Sequence, residues 1–349
     1  MTINAKPKIY LIGTGGSISF IGDSRMDYVD YSYADKHLTI EEMANNVPEI
    51  NGFADVVIEQ LINVGSTEVA PEHWLQLSQR INKIFNEDPD AAGVAITHGT
   101  ATLEETAYFL NLTVKSRKPV VITGAMRPPT GLGTDADINL VDCIRVAASE
   151  NSSGHGVLSV LNNAIQASRD VTKTNSYRLE TFKSYELGCL GYADSDGEVV
   201  FYRTPTKAHT ADTEFDVSSL TQLPRVDIAY AYSGADDLVI RSLVDAGVAG
   251  IVAAGLGSGG SPRAFMNGLM AAKEAGVKVV IATQTGNGRI IKNRRFSEQD
   301  YLVADNLTPK KARILLMLGL SVTDDPDDLQ RMMWTYLVKE KGLEKSSPF

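Results

Sequence analysis

Two hydroxyls and one lysine stand where an α/β chain would expose its chemistry. Ser17 follows Gly13, Thr14, Gly15 and Gly16, directly after the apolar run Ile9, Tyr10, Leu11 and Ile12. Three glycines in four residues let the backbone turn sharply and come close to a bound group. In an open α/β sheet, ligands sit at the carboxyl end of a strand. A hydroxyl there, flanked by backbone N–H groups, is a candidate nucleophile; the stretch reads equally as a glycine-rich turn with a solvated serine. Thr100, in His98-Gly99-Thr100-Ala101-Thr102, stands between a strand expected over 93–97 and a helix expected over 103–110. The free N–H groups of that helix favour negative charge, although a threonine there also reads as a helix cap. Lys173 lies in the polar string SRDVTKTNS, where it reads as a catalytic amine or as a surface ion-pair partner. Gly255, Gly257 and Gly260 match GxGxxG after a strand. The next strand, VKVVIATQT, ends without the acid a dinucleotide ribose needs, so a tight strand-to-helix turn is the better account.

The elements that must carry these residues follow from apolar periodicity. Strands are expected over 9–12, 56–61, 93–97, 119–123 and 156–161, and helices over 39–46, 73–85, 103–110 and 140–149. Thr39 with Glu42, and Thr102 with Glu105, have the spacing of capping boxes. Residues 20–36, rich in Asp, Ser, Tyr and Gly, read as a mobile loop with Gly22 as a hinge. The segment 203–223 has little periodicity and reads as an interdomain linker. Beyond it a second strand–helix rhythm runs through strands over 225–232, 250–254 and 278–283 and helices over 237–246, 265–275 and 309–318, with one more helix after Asp325. Alternating strands and helices imply parallel pairing with right-handed crossovers. The expected organisation is a larger N-terminal α/β domain with a mostly parallel sheet (1–203), a linker (204–223) and a smaller C-terminal α/β domain (224–349).

Composition narrows the function classes. The chain has 349 residues, 43% hydrophobic and 22% charged, a normal globular balance. Its 33 Lys and Arg against 43 Asp and Glu give a net charge of −10, which argues against nucleic acid or an anionic membrane as partner. No run approaches the ~18 apolar residues of a membrane span. MTINAKPK leads straight into the first strand, so no signal peptide is expected. Cys143 and Cys189 make neither a disulfide framework nor a metal site, and the expected home is a reducing cytoplasm. None of the five His has a metal-ligand spacing, and no cofactor is expected.

Taken together, TGGSIS, NVGS, THGTATLEETAYFL, VITGAMRP, SRDVTKTNS, RTPTKAHT with FDVS and LPRVDIAY, and LTPKKARILL resemble the bacterial-type L-asparaginases and glutaminase-asparaginases, from about Lys8 to about Leu318. The resemblance implies a homotetramer built from intimate dimers, with active sites at the domain junction closed partly by a neighbouring subunit. It makes Ser17 the first nucleophile, where the family has Thr. Counting back from Val47-Pro48, it assigns Tyr33 as the assisting lid tyrosine. It gives Ser66 the substrate carboxylate, and Thr100 and Lys173 the second hydroxyl and its lysine. A partly desolvated lysine can accept a proton from a hydroxyl or water. Backbone N–H groups near Gly16 and Ala101 would steady the oxyanion, with Gly99 in the same wall.

The departures concern one end of the substrate. The family's HGTDT is HGTAT here, so Ala101 replaces the Asp that binds the α-amino group and supports the lysine. Thr67 stands where a Gln is common, Asn293 where the neighbouring subunit offers a Glu, and Gly234 where it offers an Asn. Leaving a substrate ammonium unpaired costs about 2–5 kcal/mol. The expected activity is therefore hydrolysis, through an acyl-enzyme on Ser17, of a small carboxylate-bearing amide without a free α-amino group. The alternatives are an ordinary L-asparaginase of altered efficiency and a catalytically silent ligand-binding homologue. His98 reads as a structural histidine.

Overall fold

The computed structural model describes residues 5–33 and 35–335. The N-terminal half is laid down as β1 (Lys8–Gly15), α1 (Ile40–Asn46), β2 (Asp55–Val64), α2 (Pro71–Glu87), β3 (Ala91–Thr97), α3 (Leu103–Thr113), β4 (Val120–Thr123), α4 (Ala136–Ala148), β5 (Val157–Leu161) and β6 (Ala164–Ala167). A short ribbon of β7 (Thr172–Lys173) and β8 (Phe182–Lys183) follows, then β9 (Gly191–Ala193) and β10 (Val199–Phe201). Eight of these strands form one sheet in the order β10-β9-β6-β5-β4-β3-β1-β2. The pairings from β2 through β5 are parallel, and β6, β9 and β10 add an antiparallel edge. The sheet is thus mostly parallel, as alternating strands and helices demand.

The sequence reasons are local. Ile9, Leu11 and Ile12 of β1 are fully buried because helices cover both faces of a parallel sheet. α2 is amphipathic, burying Trp74, Leu75, Leu77, Ile81 and Ile84. α1 starts with the expected capping box: Thr39 Oγ1 accepts the Glu42 N–H, and the Glu42 carboxylate accepts the Thr39 N–H. The box expected at Thr102 does not form. Thr102 makes no side-chain cap, because its hydroxyl donates instead to the Ser66 carbonyl at 2.7 Å.

The C-terminal half has its own sheet, β11 (Val226–Tyr230), β12 (Gly250–Gly255), β13 (Lys278–Thr283) and β14 (Leu302–Val303), in sequential parallel order. It is interleaved with α5 (Leu238–Asp245), α6 (Arg263–Glu274) and α7 (Arg294–Glu298), and followed by α8 (Pro309–Leu320) and α9 (Pro326–Thr335). The connecting segment is anchored at intervals: Phe215 and Val217 lie buried in one cluster with Trp74, Tyr108 and Phe109 of the first half and Leu315 and Leu316 of the second. That shared cluster fixes α8 against α3, and both reach the site described next.

Candidate active site

Sheet order decides where chemistry can gather. β1 lies between β2 and β3, so the chain leaves β1 to one side and returns on the other. The crevice between β1 and β3 is a topological switch point, where ligands bind in open α/β sheets. Ser17 leaves β1 there, Thr100 and Ala101 leave β3, and Ser66 and Thr67 leave the adjacent β2.

Close backbone approach joins the three strand ends. Gly15 and Gly16 have φ of +94° and +87°, a region that favours glycine. A Cβ on Gly16 would collide with the Gly99 backbone, and one on Gly99 would lie 2.5 Å from Ser66 Cβ. The Gly16 N–H donates to the Val64 carbonyl at 2.9 Å, and Thr14 Oγ1 donates to the Thr97 carbonyl at 2.8 Å. Gly16 therefore serves the turn: its N–H is engaged with β2 and is not an oxyanion donor in this geometry. The Ala101 N–H points to Ser66 Oγ at 3.3 Å, a long contact.

Lys173 arrives from the β7 ribbon, and its Nζ lies 2.8 Å from Thr100 Oγ1. Thr100 is 3% exposed. Burial pushes the Lys173 ammonium below the ordinary lysine value; the positive charge of Lys310 acts in the same direction and Glu104 opposes both. The strand carrying Lys173 is tied to the C-terminal domain. Lys311 of α8, 1% exposed, donates to the carbonyls of Arg169 and Val171 at 2.7 and 2.5 Å.

Tyr31, not Tyr33, sets its hydroxyl 3.3 Å from Ser17 Oγ, and Phe20 packs edge-on against the Tyr31 ring at 6.0 Å. Tyr33 is 93% exposed. The count back from Val47-Pro48 points to Tyr33, whereas in this geometry Tyr31 is the tyrosine within reach of Ser17. The loop is pinned against the 128–132 turn: the Gly22 N–H donates to Thr130 Oγ1 at 3.0 Å, and the Tyr28 hydroxyl to the Leu132 carbonyl at 2.8 Å.

The remaining expected residues fall in two groups. Thr67 is beside Ser66, with its hydroxyl 3.4 Å from Glu68. Asn293 is the N-cap of α7, its Oδ1 accepting the Phe296 N–H at 3.1 Å, and Gly234 follows β11 with φ +84°. Both belong to the C-terminal domain and make no hydrogen bond to the hydroxyls or to Lys173 among the described residues. His98 is buried and satisfied. Its Nδ1 donates to the Gly99 carbonyl at 2.8 Å, and its Nε2 accepts from Thr106, which accepts from Trp74. Burial pushes its pKa down to about 4, so it is neutral and orients the Gly99 peptide. Among the described residues no group of three His, Cys, Asp or Glu could hold a metal ion, and no helix is long and apolar enough to cross a membrane.

Sequence reasoning missed Tyr31, Lys310, Lys311 and Glu104. Of these only Tyr31 carried a signal, as one of three tyrosines in the loop.

Comparison with known proteins matches this arrangement across both domains. Residues 8–207 match the model for the N-terminal asparaginase domain, and residues 225–333 that for the glutaminase/asparaginase C-terminal domain. L-asparaginase 2 of Bacillus subtilis (strain 168) is 44% identical over 93% of this chain and 85% of its own length. L-asparaginase 2 of Escherichia coli (strain K12) is 41% identical over 95% and 94%. The glutaminase-asparaginase of Pseudomonas fluorescens biotype A is 38% identical over 94% and 90%. The crystal structure of a probable cytoplasmic L-asparaginase from Campylobacter jejuni superposes with a TM-score of 0.90 at 38% identity, covering 95% of this chain and all of that one. The chain, with this two-sheet α/β fold, belongs to the asparaginase and glutaminase family of hydrolases that act on amide C–N bonds.

Proposed function

We propose that this chain hydrolyses a small carboxylate-bearing amide through an acyl-enzyme on Ser17, and that its preferred substrate lacks a free α-amino group. The observation that carries the reading is the Lys173–Thr100 contact of 2.8 Å at the switch point, with Ala101 between Thr100 and Thr102 where the family offers a carboxylate. In the first step Ser17 Oγ attacks the amide carbon, aided by the Tyr31 hydroxyl. The C–O bond forms, the C–N bond breaks, and the nitrogen leaves as ammonia carrying the serine proton. In the second step Lys173, acting through Thr100, takes a proton from water. The hydroxide displaces Ser17 from the acyl carbon, Ser17 Oγ takes back the proton held by Lys173, and the acid and the free serine result. Ser66 receives the substrate carboxylate.

Hydrolysis of free L-asparagine is the second reading, favoured by relatives above 40% identity that carry the name L-asparaginase 2. Cytoplasmic residence and a homotetramer with sites closed by a neighbouring subunit belong to the same proposal, supported for the first by the Campylobacter neighbour, a probable cytoplasmic L-asparaginase, and by family resemblance for the second. The test is a panel of amides, esters and lactams with and without an α-amino group, read by ammonia release and by mass spectrometry of trapped enzyme. The expected result is an adduct on Ser17, absent in Ser17→Ala, and a higher specificity constant for succinamate than for L-asparagine. An adduct on Thr100 would reverse the roles of the two hydroxyls.

A further inference from the structure

Lys173 sits on a ribbon too small to place it. β7 and β8 pair with one another, Thr172 with Lys183 and Lys173 with Phe182, and join neither large sheet. A two-stranded ribbon is marginal by itself, so what holds its ends decides where the Lys173 amine points. Past β7 the chain closes on the ribbon: the Thr174 N–H and hydroxyl both donate to the Thr181 carbonyl at 2.8 Å. Ahead of β7 it is fixed to the body of the protein. The Asp170 and Val171 N–H groups donate to the Ala167 carbonyl at 3.0 Å, and Val171 is buried with Phe182 in the core of the first domain.

The carbonyls of the same turn meet the other domain. Arg169 and Val171 present them to one donor, Lys311 Nζ, at 2.7 and 2.5 Å. Lys311 is 1% exposed. Burying an ammonium is costly unless other groups replace its water. Here the two carbonyls do so, with the Tyr108 ring 5.8 Å away. Burial pushes the Lys311 pKa down to about 8, against the pull of Glu104 and Asp170. The neutral amine still carries an N–H for each carbonyl, so the tie holds on both sides of that value. The root of the side chain is fixed as well. Thr308 caps α8 by accepting the Lys311 N–H, and α8 packs on α3 through the cluster of Tyr108, Phe109, Leu315 and Leu316. α3 begins just after Thr100, so Lys311 refers the ribbon to the same helix pair that sets the hydroxyl.

We propose that Lys311 is a positioning residue: by holding the Arg169 and Val171 carbonyls it fixes the backbone that leads into Lys173, and so keeps the Lys173 amine within hydrogen-bond reach of Thr100. The inference rests on Lys173 and Thr100 acting in the second step of the proposed reaction.

The test compares Lys311→Met, Lys311→Arg and Lys310→Met with the parent. Lys310→Met removes the 2.8 Å ion pair between α8 and Glu104 of α3 and leaves the 169–171 turn untouched. Should Lys311→Met fail to fold, Lys311→Gln, whose amide keeps two N–H groups on a shorter arm, replaces it. Crystal structures give the distance from Lys173 Nζ to Thr100 Oγ1. Steady-state kinetics on succinamate and L-asparagine, with mass spectrometry of the enzyme during turnover, give the effect on the reaction. In Lys311→Met the 2.8 Å contact should open beyond about 3.5 Å. A misplacement of about 1 Å can cost about a hundredfold, and kcat should fall by that factor. KM should be no higher than the parent's, because the slowed step follows substrate binding, and acylated Ser17 should accumulate. Lys311→Arg keeps donors for both carbonyls and should recover most of the loss, whereas Lys310→Met should match the parent in both readouts. If the parent hydrolyses no amide yet the contact opens in Lys311→Met, the proposed reaction fails and the positioning stands. A contact that stays at 2.8 Å in Lys311→Met, or an equal loss of kcat in Lys310→Met, overturns the positioning.

Discussion

Ala101→Asp returns a carboxylate to the loop between Thr100 and Thr102, and its consequences run in two directions. At about 4 Å from a substrate ammonium and an effective dielectric near 20, the gross attraction is about 4 kcal/mol. Position 101 is exposed, so solvent screens the pair and desolvation of both ions returns most of that gain. A net of about 1.4 kcal/mol, or tenfold, in favour of L-asparagine over succinamate is the expected change in the ratio of specificity constants. The same carboxylate stands one residue from Thr100, whose hydroxyl is 2.8 Å from Lys173 Nζ. It therefore stabilises the Lys173 ammonium and moves the acid limb of kcat to higher pH for both substrates. The assay measures ammonia release from L-asparagine and succinamate from neutral to alkaline pH in the parent, Ala101→Asp and Ala101→Asn. The asparagine variant has the size of aspartate without its charge and should leave both the ratio and the acid limb near the parent's. A parent that strongly prefers L-asparagine, with a ratio that Ala101→Asp leaves unchanged, refutes the reasoning.

Two further outcomes can be checked. Tyr31→Phe should lower kcat by about a hundredfold, the lower end of general acid–base contributions, whereas Tyr33→Phe should change it little; the reverse order would mean that Tyr33 closes over Ser17 when substrate binds. His98, with its folded pKa near 4 against 6.5 unfolded, binds fewer protons in the fold than in the unfolded chain between those values. Its contribution is therefore present above pH 6.5 and lost as pH falls toward 4, by up to about 3 kcal/mol; urea midpoints measured across that window should fall less steeply in His98→Gln.

Much of this was legible in the chain. Buried strands and amphipathic helices are short-range patterns, so β1, β3, α2 and the strand–helix rhythm of the second domain could be read directly. The motifs around Ser17, Thr100 and Lys173 were equally plain, because each is a contiguous string. The antiparallel edge of β6, β9 and β10 was not foreseen, since strands of three or four residues carry too little periodicity. Thr102 has the spacing of a capping residue, yet a competing acceptor at Ser66 took its hydroxyl. Counting along a loop says nothing of the path it takes, so the count that points to Tyr33 does not show that Tyr31 lies nearer Ser17. The Gly16 N–H looked available until the fold set it against Val64.

What no local reading could supply is the part played by the C-terminal domain. Lys310 and Glu104 are 206 residues apart and meet only because α8 packs on α3. Two consecutive α8 side chains face the first domain with different tasks. Lys310 pairs with Glu104 of α3, and Lys311 holds the backbone that leads into β7. A small rotation of one domain on the other would shift the backbone that leads to Lys173. Substitution of Lys311 should therefore behave as a displacement of the base, visible in kcat before it is visible in substrate affinity. The proposed specificity has the same root. With no carboxylate at position 101, the site gives up its hold on an ammonium group, while the lysine that meets Thr100 sits on backbone held from the C-terminal domain.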